Sequence, residues 1–132
     1  MPDARDIHGT VFKNGSAIFL ARVVGADGAA VTQGDVASIR YTAYLLDDQD
    51  PDQQTPLTGH SGVSLPVSAV IYDALVTDAI WTRDTIGYNF RHVLDVSAHA
   101  AFPTAGRAYR VVYELTPASG QIVLVRFRVH AI

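Results

Sequence analysis

The sequence predicts an all-β fold: one antiparallel sandwich of about seven to nine short strands over residues 1–132. The acidic residues give the first reason. Of thirteen acids only Glu114 is Glu, and Lys13 is the only Lys. Surface helices are built largely from Glu, Lys and Gln, whereas Asp belongs to caps and turns. The second reason is strict alternation near the C-terminus. Tyr109, Val111, Tyr113 and Leu115 alternate with Arg110 and Glu114, and Val123, Val125, Phe127, Val129 and Ala131 alternate with Arg126, Arg128 and His130. Period two places alternate side chains on opposite faces of a strand. The third reason is that Gly, Pro, Asn and Asp separate the apolar runs as turn signals.

The elements follow in chain order. Residues 7–13 read as a short edge strand stopped by Asn14-Gly15. Residues 17–24 are apolar at nearly every position, as in a strand covered on both faces, and Gly25-Ala26-Asp27-Gly28 is the next turn. In residues 36–46, Ile39, Tyr41, Ala43 and Leu45 alternate with Ser38, Arg40, Thr42 and Tyr44, which predicts a long strand. Residues 47–62 have no periodicity and read as a loop. Residues 63–72 return to strand character around Pro66, at an edge or a bulge. Tyr72, Leu75, Val76 and Ile80 fit a helical spacing, predicting one short helix near 72–80. Phe90, His92, Leu94 and Val96 alternate again, and the Thr116–Gly120 segment joins the last two strands as a hairpin loop.

Composition narrows the function. An apolar content of 48% excludes disorder as the overall state, and a net charge of −3 without a basic cluster argues against nucleic acid or a membrane as partner. The absence of Cys removes disulfides, thiolate chemistry and Cys-based zinc sites. Met1-Pro2-Asp3-Ala4-Arg5-Asp6 is polar and predicts no signal peptide. No run approaches the ~18 apolar residues of a membrane helix.

No constellation predicts catalysis or a cofactor. Asp48, Asp50 and Asp52, with Asp47 adjacent, have the alternate spacing of calcium ligands, but Gln53 and Gly59 stand where an EF-hand needs Gly and Glu. The plainer reading is a solvated acidic loop. Gly59-His60-Ser61-Gly62-Val63 lacks the second Gly of a nucleophile elbow, so a hydrolase built on His60 and Ser61 is the weakest reading. His8, His60, His92, His99 and His130 show no metal spacing. Nothing assembles a nucleophile, a base and an orienting group, so no enzyme is expected. Trp81-x-x-Asp84-x-x-Gly87-Tyr88-Asn89-Phe90 has two readings. In one, Trp81 and Tyr88 are a binding surface. In the other, Trp81 and Phe90 seal an end of the sandwich, Gly87 takes a positive φ and Asp84 ties the turn.

Gly106-x-x-Tyr109 opens the penultimate strand and resembles the corner of immunoglobulin-like domains, where a Tyr near that point hydrogen-bonds back to the chain. The resemblance implies structural roles for Gly106 and Tyr109. The spacing departs from the usual one, because Ala108 directly precedes the Tyr, and the Cys pair and strand-C Trp of antibody domains are absent. The Gln33–Tyr44 strand, the Trp81–Phe90 segment and the Gly-x-x-Tyr hairpin together are similar to small accessory virion proteins of tailed phages. That resemblance implies a non-enzymatic structural or interaction protein, a decoration, neck or baseplate component. Its partners would be copies of itself or other virion proteins, and its place the virion after synthesis in the bacterial cytoplasm, or the cytoplasm alone. The rival reading is a small-ligand or carbohydrate-binding sandwich using Trp81, Tyr88 and the acidic loop. Assembly points to the last strand, whose outer face carries Ile122, Leu124, Arg126, Arg128, His130 and Ile132. A terminal strand of this kind is expected at a sheet edge, with Arg126 and Arg128 meeting carboxylates of a neighbour.

Overall fold

The computed structural model describes residues 6–25, 28–50, 52–82, 84–118 and 122–132. The described strands are β1 (Asp6–Val11), β2 (Ile18–Ala21), β3 (Val36–Leu46), β4 (Gln54–Pro56), β5 (Val63–Leu65), β6 (Ile71–Val76), β7 (Tyr88–Val93), β8 (Ala108–Pro117) and β9 (Val123–Ala131). One helical turn, α1 (Val67–Val70), precedes β6, and a 3-10 turn at Gln33–Asp35 opens β3. The larger sheet runs β1-β9-β8-β3-β4, with β5 also on β3; the smaller runs β2-β7-β6. Every pairing is antiparallel except β1 with β9. The last two strands join the third in one sheet, and the second joins β6 and β7 in the other. This is the strand order of an immunoglobulin-like sandwich.

Alternation drives the two sheets together. Phe19, Ala21, Ile71 and Phe90 point inward from the smaller sheet, and Ile39, Tyr41, Val111, Tyr113, Phe127 and Val129 from the larger. The Tyr113 ring lies at the centre, 4.8 Å from Phe90, 5.8 Å from Phe127 and 6.1 Å from Phe19 between centroids. Such edge-to-face contacts add about 0.5–1.5 kcal/mol per pair to the burial of each ring. At the bottom of β8 the Tyr109 hydroxyl accepts the Thr104 N–H at 3.0 Å and donates to the Thr104 carbonyl at 3.4 Å. Gly106 turns the chain at φ 87° between them. The corner expected from Gly106 and Tyr109 therefore has its hydrogen bonds.

Several local readings change. The helix falls at Val67–Val70 rather than near 72–80, where Ile71–Val76 forms β6. Pro66 starts the turn at φ −68°, and pairing of Ile71 with Phe90 and Val76 with Tyr88 overrides the helical spacing. Residues 17–24 are not covered on both faces: β2 ends its sheet, and Ile18 is 49% exposed while Phe19 and Ala21 are buried. The loop at 47–62 contains β4, three residues paired with Tyr44, Leu45 and Leu46. The turn at Gly25 and Gly28 closes with a 3.0 Å bond from Gly28 N–H to the Gly25 carbonyl; Ala26 and Asp27 lie outside the described residues. The tip of the last hairpin, residues 119–121, lies outside them too.

Candidate interaction face

The β8–β9 register builds the outer face of the larger sheet. Phe127, Val129 and Ala131 are buried, so Arg126, Arg128 and His130 point away from the core. Arg128 stands directly opposite Arg110, and Arg126 opposite Val112. The row through Arg128 continues to His8 on one side and, through Arg110, to Tyr44 on the other. Directly opposed residues have Cβ atoms about 5 Å apart, and like charges so placed are destabilising. Two neighbours temper the face. Arg40 Nε pairs with Glu114 Oε2 at 2.7 Å, and Arg110 donates to Gln54 Oε1 at 3.2 Å. Arg128 makes no ion pair among the described residues. Leu124 and Ile122, 45% and 54% exposed, border the cationic band.

The last strand is not an edge. β1 pairs with β9 from Asp6↔Arg126 to Val11↔Ala131, so β9 lies inside the sheet. A parallel partner from residues distant in sequence leaves no local signal, which is why a terminal strand reads as an edge. Arg126, Arg128 and His130 can meet a partner through their face only.

Trp81 and Tyr88 lie elsewhere. Tyr88 is 2% exposed, so it is not a surface residue. Its hydroxyl donates to Asp78 Oδ2 at 2.7 Å, and burial, then that carboxylate, push it up to about 12. Trp81 is half-buried, its ring 5.6 Å from Tyr88, and it lines a groove of about 240 Å³ between the β1 and β2 edges. Asp84 ties the turn before β7: Oδ1 accepts the Trp81 indole N–H and the Ile86 and Gly87 amides, and Oδ2 accepts Arg22 at 2.7 Å. The indole, the Gly87 amide and the Arg22 guanidinium hold its carboxyl well below the usual range. Gly87 has φ 108°, and a Cβ there would lie 2.5 Å from the Val76 carbonyl oxygen. This is the structural role read for Asp84 and Gly87. Phe90 is fully buried, whereas Trp81 covers a groove rather than capping the core.

The acidic loop is internally engaged. Asp47 Oδ1 accepts the Gln49 and Asp50 amides, and those two bonds lower its pKa. Asp50 Oδ1 accepts the Asp52 amide, and Asp48 pairs with Arg107 at 2.9 Å. No three His, Asp or Glu converge as a metal site among the described residues, Asp48, Asp50 and Asp52 included. The groove at Trp81 is lined neither by these acids nor by Tyr88.

Sequence reasoning missed a buried polar cluster. His60 is 2% exposed; its Nε2 donates to the His99 carbonyl at 2.7 Å, so Nδ1 accepts the Tyr41 hydroxyl at 2.8 Å. Both nitrogens are taken, which leaves His60 with no base to offer Ser61. Next to it, His92 Nδ1 meets the Tyr113 hydroxyl at 2.6 Å, and burial pushes His92 down to about 4. Outside this cluster, Asn89, 1% exposed, exchanges bonds with Val23 N–H and carbonyl and donates to the Val31 carbonyl. The only sequence signal for this cluster was His92 in phase with Phe90 and Leu94. Comparison with protein families, with curated proteins and with solved structures finds no match.

Proposed function

We propose that this protein is a non-enzymatic interaction module that docks through the outer face of its larger sheet onto a carboxylate-bearing protein surface. The supporting observation is the direct opposition of Arg110 and Arg128, with Arg126 beside them. A sheet gains nothing by itself from placing guanidiniums across from one another, whereas a partner's carboxylates turn the same arrangement into bidentate pairing. In the acidic loop of a second copy, Asp47, Asp48 and Asp50 use their Oδ1 atoms internally, so their Oδ2 atoms and the exposed Asp52 are the carboxylate oxygens offered to such a face. Closed self-assembly of this type suits an accessory component of a phage or phage-like particle, a decoration, neck or baseplate piece, in keeping with the resemblance of its strand and turn sequences.

The test compares the protein with an Arg126→Glu, Arg128→Glu double variant by light scattering at low salt and tens of micromolar. The wild type is expected to associate and the variant to remain monomeric, with salt reversing the association. Two well-folded monomers would exclude self-assembly through this face. Capsid, portal or tail genes beside the coding sequence would support the particle assignment.

A further inference from the structure

With β9 inside the larger sheet, β1 becomes its edge, and no described strand pairs with the other flank of β1. The Ile132 amide donates to the Val11 carbonyl and the Lys13 amide to the Ile132 carbonyl, at 2.9 Å each. Main-chain groups alternate in direction along a strand. Ile7, Gly9 and Val11 therefore direct theirs to β9, while His8 and Thr10 direct theirs sideways, away from it. The groove at Trp81 agrees with this: His8 and Thr10 border it together with Ile7, Gly9 and Val11, so the main chain forms that wall.

Edge strands are usually blunted by Lys, Pro or a bulge. Asp6–Val11 contains neither residue, and its register with β9 is unbroken. The strand is also close to a palindrome about Gly9. Ile7 and Val11 flank it on the inner face, opposite Phe127 and Ala131, and His8 and Thr10 flank it with the free main-chain groups. Nothing in the domain itself calls for glycine there. Gly9 is outside the left-handed region, and a Cβ would meet Val129 Cγ1 at 3.8 Å, an ordinary contact. Glycine weakens a strand, and where it persists it often marks the close approach of another backbone.

We propose that β1 pairs antiparallel with β1 of a second copy, about a two-fold axis through Gly9. His8 then faces Thr10 of the second copy, and the two exchange both main-chain bonds; the axis repeats this on the other side. Ile7 meets Val11 across the inner face, and Gly9 meets its own copy in the narrow kind of pair, with Cα atoms about 4.5 Å apart. Moving the axis to His8 or Thr10 would set Gly9 against Ile7 or Val11 and lose the Ile7–Val11 pair. Phe12, 73% exposed, stands at each end of the paired stretch. The contact is self-complementary and joins the two larger sheets into one. It uses neither Arg126 nor Arg128, so it is independent of docking through the outer face. Being short, it forms at hundreds of micromolar rather than tens.

Sedimentation velocity in about 0.5 M salt, which screens charge-driven docking, tests this. The protein should pass from monomer at about 10 µM to mostly dimer near about 1 mM. Amide exchange supplies the register. The His8 and Thr10 amides should exchange more slowly as concentration rises, whereas the Val11 amide, bonded to β9, is protected throughout. Thr10→Pro deletes a free N–H that the domain's own sheet does not use, and should weaken the dimer roughly tenfold or more. Gly9→Lys, which the isolated domain accommodates, puts a charge on the axis; it should do the same while the Val11 amide stays protected. A monomer at every concentration, or concentration-independent exchange at His8 and Thr10, would overturn the proposal. So would a dimer undiminished in Gly9→Lys. Association confined to low salt would also overturn it, and would leave docking through the outer face standing.

Discussion

Tyr109 shows how one side chain links sequence to fold. Its ring is buried against Phe102, 5.4 Å away, while its hydroxyl closes the corner through Thr104. Tyr109→Phe keeps the ring and strands the Thr104 amide, so the variant should lose roughly 1–2 kcal/mol by denaturant midpoint; an unchanged midpoint would mean the corner carries no weight. His92 gives a second residue-scale expectation, in pH. Its folded value is pushed down from 6.5 to about 4, so the unfolded chain binds the proton more readily. The sandwich should therefore be fully stable in this respect above pH 6.5 and lose stability as pH falls to about 4, with no further loss from this group below. A fully insulated ring with that fall would be worth about 3 kcal/mol. Contact with solvent reduces this to roughly 1–2 kcal/mol. His92→Gln, which accepts from Tyr113 without titrating, should flatten stability over that interval while leaving the lower-pH loss from Asp84 and the other hydrogen-bonded carboxylates. If wild type and variant fall together, His92 is not the titrating group.

At the scale of elements, legibility followed the number of alternating residues. β3, β8 and β9, with 11, 10 and 9 residues, read clearly because several inward positions repeat in each. β4 and β5 have three residues each and exist because β3 offers them a flank, which their own residues do not encode. The α1–β6 boundary was unreadable for a related reason. Val67 to Val76 suits strand or helix equally, and the choice is made by Phe90 and Tyr88 across the ladder. The turn before β7 was legible because its chemistry is local: Asp84 binds amides two and three residues on, and Gly87 takes the conformation only glycine adopts cheaply. The cavity beside α1, lined by Val70, Tyr72 and Arg91 among others, was invisible for the opposite reason, since it arises where one ladder ends and a helical turn takes its place.

On the scale of the whole molecule, the arginines of the outer face were visible as a phase of β9, but their opposition to Arg110 depends on a register that no single strand specifies. That register sets stability against the proposed docking. The isolated domain carries Arg110 against Arg128 without a carboxylate on Arg128 among the described residues. Cross-strand repulsion of this kind costs a few tenths to about 1 kcal/mol and is screened by salt. Arg128→Thr removes the repulsion and places a good strand former on an exposed face. At a protein concentration low enough to keep both proteins monomeric, the variant should therefore melt a few degrees higher than wild type at low salt, since about 1 kcal/mol corresponds to roughly 3–6 °C in a domain of this size. Raising the salt to about 0.5 M should shrink that gain as the Debye length falls to a few ångströms. The same substitution should weaken self-association measured by light scattering, because it deletes one bidentate donor from the docking face. A lower melting temperature for Arg128→Thr at low salt, with both proteins monomeric, would show that the guanidinium stabilises the isolated sheet, and the case for an external carboxylate partner would fall with it.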